Sequence, residues 1–366
     1  MQFINYDLRL ERLRNRIVLS SVFLSFLGLV LVYETSSVYA WSSFGDPMYF
    51  LKRQVVFVLA GIISMLLIRR VRLEKLRENS RFLMGIGLVL LVSVLIFGTK
   101  AGGAKRWIRF LGMGFQPSEL VKVIYIFYLV DYSCREERVM DNFFKGILPF
   151  LSVMALTCFL LFLEPDFGNV IFFGLIGFIV LFISRVKKRY LLWIAGVFCI
   201  AAVLLILSSP YRRARIFSYL NPWHDPKGSG FQLVQSQIGA GSGGILGIGL
   251  GESRQKLFFL PAAHTDFIFA IIAEELGFLG SVFILGLYLF ILFWGMKLLK
   301  EVYDPFRYYL GAVALVTLVL QALINISVVI GLLPTKGLPL PFISYGGSSV
   351  LVSFLLLGLF LNAVRT

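Results

Sequence analysis

The sequence is poor in charge. Only 15% of its 366 residues are Asp, Glu, Lys or Arg, against roughly 25% in an ordinary soluble domain. It also lacks any stretch that could form a separate soluble domain, since the longest connection between apolar runs extends only from about 209 to 265. Cysteine is scarce. Cys134, Cys158 and Cys199 fall on or beside apolar runs without paired spacing, which argues for ordinary packing rather than a disulfide framework or a thiolate metal centre. No small-residue cleavage site follows the first apolar run, so that run is expected to be retained rather than removed as a signal peptide.

Apolar residues fill the space that charge leaves. They make up 58% of the chain, and the mean hydropathy is +0.85. Ten runs stand out, at about 17–34, 54–70, 82–98, 118–132, 146–163, 167–184, 190–208, 266–297, 308–331 and 342–363. A helix needs about 20 apolar residues to cross a bilayer. The expected fold is therefore all-α and polytopic, with about ten transmembrane helices in a single domain over 1–366. Arg9, Arg12, Arg14 and Arg16 precede the first run, and the 69–81 connection adds Arg69, Arg70, Arg72, Lys75, Arg77 and Arg81. Basic residues concentrate on the cytoplasmic side of such proteins. Both termini are thus expected in the cytoplasm, with the long 209–265 loop outside. The net charge of +15 then reads as a topology signal plus attraction to anionic membrane lipid, and does not call for nucleic acid.

Charges that break this pattern are the informative ones. The outer segment KAGGAKRWIRFLGMGFQPSE, residues 100–119, carries Lys100, Lys105, Arg106 and Arg109 with no acid before Glu119. Arginine forks and lysine point charges suit phosphate, so a lipid-linked diphosphate would fit. An interfacial segment snorkelling toward lipid headgroups, anchored by Trp107, is the other reading. Glu119 and Lys122 lie one turn apart just after Pro117, either as a self-neutralising ion pair or as cavity-facing functional groups. Glu164 and Asp166 sit in the hairpin EPDFGN, whose residues suit a turn; for Asp166 that reading competes with orientation of Arg106 or Arg109, or with holding a divalent cation.

In the long loop, PYRRARIFSYL mixes aromatics with Arg212, Arg213 and Arg215 and reads as interfacial. Seven glycines follow within 239–251. They could form an anion-binding nest or a re-entrant loop, but the Gly-Lys-Ser/Thr ending of a Walker loop is missing. Asp266, in AHTDFIFAIIAEELG beside His264 and Thr265, precedes a long apolar helix. It is either a helix-start acid or a general base whose pKa partial desolvation would raise. Glu274 and Glu275 lie deeper in that helix and predict an internal cleft. Gln321 and Asn325 read as interhelical hydrogen-bond glue. GLLPTKGLPLPFISYGGSSVL, residues 331–351, reads as a broken helix lining a cavity, with Lys336 its only charge.

Together these stretches resemble the SEDS proteins, the shape, elongation, division and sporulation family. GLLPTKGLPLPFISYGGSS matches the family signature, and AKRWIRFLGMGFQPSELVK, LEPDFGN and LPAAHTDFIFAIIAEELG agree in order and spacing. The resemblance covers nearly the whole chain and is greatest to the septal member; the elongation and sporulation members are close relatives. It implies a glycosyltransferase polymerising lipid II into β-1,4 glycan at the outer face of the inner membrane. The implied partners are lipid II, the undecaprenyl-diphosphate-linked glycan, a class B penicillin-binding protein and other divisome membrane proteins. It implies Asp266 as the catalytic base, with Lys105, Arg106, Arg109, Glu119, Lys122, Asp166, His264, Lys336 and Ser344 around the substrate. Mg²⁺ or Mn²⁺ could assist, held by Asp166 or Glu119. A lipid II flippase is the alternative activity. One departure is that Ala262 and Ala263 stand where many relatives have Pro-Glu-Ala, which removes an acid near Asp266.

Overall fold

The structure is a computed structural model that describes residues 2–101, 104–110, 113–135, 139–256, 260–261, 263–335 and 337–365. Each of the ten apolar runs coincides with a helix. These are α1 (Gln2–Phe44), α2 (Tyr49–Ile68), α4 (Ser80–Phe97), α5 (Pro117–Arg135), α6 (Leu148–Leu163), α7 (Phe167–Ile183), α8 (Lys188–Leu207), α11 (Ile268–Leu299), α12 (Pro305–Val329) and α13 (Gly347–Ala363). Short helices α3 (Leu73–Glu78), α9 (Pro210–Leu220) and α10 (Phe231–Ser242) lie in the connections. Among the described residues, seven helices are long and apolar enough to cross a bilayer, and α7 and α13 are apolar but only 17 residues long. The architecture is that of a polytopic helical membrane protein. Burial separates the helices by role: the most apolar window of α12 is 78% buried and that of α8 only 11%.

Packing divides the chain into two compact units. One comprises Met1–Ile62, Ile206–Leu298 and Leu318–Ser353, and the other Ile63–Leu205, Leu299–Thr317 and Phe354–Thr366. In the second unit α5 is the central element. Gly87 of α4 lets Val121 and Ile124 approach, and the Tyr125 hydroxyl donates to the Phe173 carbonyl of α7 at 3.3 Å. At its far end, buried Asp131 accepts from Arg77 at 2.8 Å and Arg135 at 2.9 Å, and also from Ser80.

The all-α expectation needs one local correction. The basic segment expected either to bind a lipid-linked diphosphate or to snorkel at the interface forms a small antiparallel sheet, β1 (Thr99–Ala101), β2 (Ala104–Phe110) and β3 (Met113–Phe115), in the order β1-β2-β3. Trp107, Ile108 and Phe110 are good strand formers, and pairing supplies partners for backbone groups that no helix satisfies. Thr99 pairs with Trp107 and Ile108 with Phe115.

The first unit contains the other irregular backbone. The 209–265 connection is no open loop, because α10 buries Leu233 and Val234 and the Ser236 hydroxyl donates to the Val329 carbonyl at 3.0 Å. Helix α11 is broken at Gly277, where φ is 66°. The glycine-rich segment fills that break. The backbone amides of Ile248 and Gly249 donate to the carbonyls of Glu274 and Glu275, while those of Phe278 and Leu279 donate to Gly244 and Ile245, all at 2.9–3.2 Å. Such close exchange has no room for a β-carbon: one on Gly247 (φ 83°) would stand 2.1 Å from the Glu275 carbonyl oxygen. Glu274 and Glu275 are accordingly buried against the returning chain rather than facing an open cleft. Glu274 accepts from the Arg254 amide at 3.1 Å and from the Ser253 hydroxyl; Glu275 accepts from the Ser253 amide and Lys256 Nζ, each at 3.2 Å.

Replacing Gly247 by Ala combines a left-handed conformation with a steric clash, so it should cost about 2–3 kcal/mol or more. The expected reading is a fall of several degrees in the unfolding midpoint of the detergent-solubilised protein. An unchanged midpoint would show that the docking tolerates a side chain.

Candidate active site

In the first unit Asp266 lies two residues before α11, in a turn whose backbone is held from outside. Three consecutive carbonyls are each bonded. The His264 carbonyl accepts from the Tyr345 amide at 2.9 Å, the Thr265 carbonyl from Ser344 Oγ at 2.6 Å, and the Asp266 carbonyl from Asn325 Nδ2 at 2.8 Å. The donors are themselves fixed. Ser344 Oγ accepts from the Leu340 amide at 2.8 Å, and Asn325 Nδ2 also reaches the Leu338 carbonyl at 2.7 Å. Gln54 of α2 is fully buried and brackets Tyr345, donating to the Ser344 carbonyl at 3.0 Å and accepting from the Gly346 amide at 3.4 Å. Gln321 caps the Pro339 carbonyl at 2.9 Å, and the Tyr288 hydroxyl donates to that of Pro341. The broken 331–346 segment thus has its backbone answered by side chains from three helices, as buried non-helical backbone requires.

The side chains at this turn divide in the same way. Ser344 is buried in the clamp. The His264 ring sits in an aromatic box, 4.7 Å from Phe50, 5.6 Å from Tyr345 and 6.1 Å from Tyr39 by ring centroids. Burial lowers its pKa to about 4, so it is neutral at physiological pH and offers no charge to a phosphate. Asp266 is half-buried. A β-carbon on Gly337 would come within 2.9 Å of its Oδ2, so Gly337 gives the carboxylate its clearance. Lys336 lies outside the described residues.

The second unit brings together the other expected residues in two pairs. Arg106, on β2, donates to the Pro165 carbonyl, and its Nε stands 3.6 Å from Asp166 Oδ2. Asp166 caps α7, accepting from the Asn169 amide at 3.3 Å and from Asn169 Nδ2 at 2.9 Å. Glu119 and Lys122 form a buried ion pair at 2.9 Å, with Lys122 over the Phe172 ring at 5.3 Å. Lys105 is exposed; of Arg109 only the backbone is described, paired with Gly114. These carboxylates fit a divalent cation poorly. Glu119 is neutralised by Lys122, Asp166 is engaged by Arg106 and Asn169, and no three potential ligands converge among the described residues.

Gln54 and Gly337 carry no local signal, since an isolated glutamine in an apolar run and one glycine among many reveal their purpose only through distant partners. Glu164 was seen only as a turn residue. It is 0% exposed, and neither carboxyl oxygen has a hydrogen-bond partner. Burial, then the Asp166 carboxylate, push its pKa up to about 8, with Arg106 offsetting part of the shift.

A polytopic membrane fold with one aspartate on a backbone-clamped turn, and an arginine-bearing sheet beside a buried ion pair, defines the class. The cell cycle protein family of FtsW, RodA and SpoVE matches residues 15–366, and the chain belongs to it. It is 41% identical to the probable peptidoglycan glycosyltransferase FtsW of Geobacter metallireducens, over 98% of this chain and 97% of that one. It is 37% identical to the stage V sporulation protein E of Bacillus subtilis, over 95% and 96% respectively. Among solved structures it resembles a chain of a peptidoglycan synthase complex that coordinates polymerization and crosslinking, with a TM-score of 0.76 and 29% identity over 95% of this chain and 96% of that one. The rod shape determining protein RodA of Thermus thermophilus gives a TM-score of 0.68 and 25% identity over 95% of each chain.

Two outcomes are expected. Asn325→Ala leaves the carbonyls of Asp266 and Leu338 without their donor and should cost about 1–3 kcal/mol, with faster amide hydrogen exchange over residues 331–346; unchanged exchange would mean the clamp is dispensable. For Glu164, the folded protein holds a proton that the unfolded chain releases above the ordinary carboxyl pKa. Its contribution to stability therefore falls as pH rises from about 4.5 to about 8. Glu164→Gln should raise the unfolding midpoint at pH 8 relative to wild type and flatten its pH dependence; equal midpoints throughout would refute the neutral-acid assignment.

Proposed function

We propose that the chain is a peptidoglycan glycosyltransferase that polymerises lipid II at the outer face of the bacterial inner membrane during septal wall synthesis. The observation carrying this reading is the Asp266 turn, in which a half-buried carboxylate is aimed from a backbone held at three successive carbonyls. Family membership and full-length similarity to probable FtsW transferases point to the same reaction. The inner-membrane topology proposed from the basic connections, with both termini cytoplasmic, puts that turn outside.

The reaction then runs as one inverting displacement. Asp266 takes the proton from the acceptor disaccharide's 4-hydroxyl as its oxygen bonds the donor's anomeric carbon. The bond from that carbon to the diphosphate breaks, and the undecaprenyl diphosphate leaves with the electron pair. An α-linked donor giving a β-1,4 product needs only this step. Diphosphate requires no general acid, in contrast to the paired carboxylates of an inverting glycoside hydrolase. A carboxylate pre-aimed by its backbone loses little on reaching the transition state. Lys336 adjoins Gly337 in sequence and is the proposed charge partner of the departing diphosphate. Lys105, Arg106 and Arg109 on the small sheet are proposed to bind a lipid-linked diphosphate, with Asp166 orienting Arg106. The Glu119–Lys122 pair and Ser344 are proposed to act by positioning, and His264 as a neutral packing group. No step is assigned to a metal. The proposed partner is a class B penicillin-binding protein, together with other divisome membrane proteins.

The test is polymerisation of labelled lipid II by purified protein with a transpeptidase-inactivated partner. Wild type should give glycan ladders. Asp266→Ala, folded and membrane-inserted, should lose at least about a hundred-fold in rate, the scale of a positioned base. Ladders at the wild-type rate from the variant would remove Asp266 from catalysis. Absence of ladders with any partner, together with lipid II translocation in vesicles, would transfer the chain to the flippase class.

A further inference from the structure

A second site lies in the other unit, where α2 and α13 end. The chain leaves α2 in a tight turn, with the Arg69, Arg70 and Val71 amides donating to Met65, Leu67 and Ile68. Asn362 of α13 locks it, its Nδ2 donating to the Ile68 carbonyl at 2.7 Å and the Val71 carbonyl at 2.8 Å. The helices meet at Gly358, where a β-carbon would stand 2.2 Å from the Ile68 side chain. The backbone after α13 is held too, since the Arg365 carbonyl accepts from Arg307 Nη1 at 3.1 Å. Between these fixed ends is a cavity of about 310 Å³ lined by Leu66, Arg69, Arg70 and Arg365.

Arg69, Arg70 and Arg365 line this space, and no acidic side chain lines it among the described residues. The acidic residue close by, Glu74, is bound by Arg307 at 2.9 Å, and none of the three arginines forms an ion pair among the described residues. Interaction with the negative end of the α2 dipole accounts for a cation there, but Asn362 already answers two of the terminal carbonyls, and a dipole does not need three charges. The fourth lining residue is apolar and continues outward as an exposed face of α2, with Ile63 57%, Leu66 47% and Leu67 61% exposed. A free phosphate would have no use for that face. A membrane phospholipid would use both parts, its phosphate in the arginine forks and its acyl chains along the helix.

We propose that this cavity is a binding site for one anionic phospholipid, which bridges the ends of α2 and α13. The site is independent of the proposed transferase chemistry and requires only that the chain be membrane-embedded.

The test is lipid retention. Purified protein is exchanged from vesicles of phosphatidylcholine containing phosphatidylglycerol or cardiolipin into detergent, and bound lipid is counted by native mass spectrometry. Wild type should retain one anionic lipid in preference to phosphatidylcholine. Arg69→Gln/Arg70→Gln/Arg365→Gln should bind it about a hundred-fold more weakly, some five-fold per arginine. A control of equal charge loss, Arg9→Gln/Arg12→Gln/Lys188→Gln, should retain it. Should the triple variant not fold, Arg69→Gln and Arg365→Gln alone each lower retention about five-fold on this proposal. Equal retention by wild type and the cavity variants, or equal loss in the control, would overturn it. Displacement of the lipid by excess inorganic phosphate would identify a free-anion site instead and overturn it as well.

Discussion

A buried backbone amide or carbonyl has no water to bond, and that one constraint organises the irregular stretches of the first unit. Helices meet it locally. Where the chain departs from helix, a partner has been supplied from elsewhere in the same unit. The break in α11 is filled by the glycine-rich segment, backbone against backbone, because only glycine lets two main chains approach so closely. The 331–346 segment, carrying three prolines, is answered by Gln54, Tyr288, Gln321 and Asn325.

The candidate site is a by-product of that accounting. Asn325, Ser344 and the Tyr345 amide satisfy three successive carbonyls, and in doing so fix the direction of a turn that would otherwise be free to move. A carboxylate carried on such a turn takes its direction from a fixed backbone. His264, next to it, is made neutral by burial in an aromatic box, so it adds no positive charge beside Asp266. The rigid part is built from polar but uncharged groups, which cost less to bury than ions do.

Charge is treated differently in the second unit. Glu119 and Lys122 cancel each other in a dry setting, an arrangement that breaks badly if one partner is removed. Arg106 keeps part of its surface open while Asp166 and the Pro165 carbonyl direct it. Glu164 goes further and evades the cost of a buried charge by keeping its proton. Glu164 and Asp166 stand two residues apart in one hairpin, yet one keeps its proton while the other directs an arginine, and nothing in the motif distinguishes them.

Length and apolar content alone determined the helices, since crossing about 30 Å of hydrocarbon leaves one economical choice per run; all ten runs coincide with helices to within several residues, apart from the long extension of α1. Asp266, Arg106, Asp166 and the Glu119–Lys122 pair were also legible, because charge in so apolar a chain is conspicuous. The strands at 99–115 were partly legible in their β-forming residues but were masked by their charges. What only the tertiary structure decided is which polar groups answer which backbone. The purposes of Gln54 and Gly337 depend on partners up to 292 residues away and the locking of α2 by Asn362 on one 294 away, while Asn325, legible as hydrogen-bond glue, gains its particular partners only in the fold. A hydrogen bond between distant segments leaves no periodicity in either, so no reading of local pattern could have assigned it.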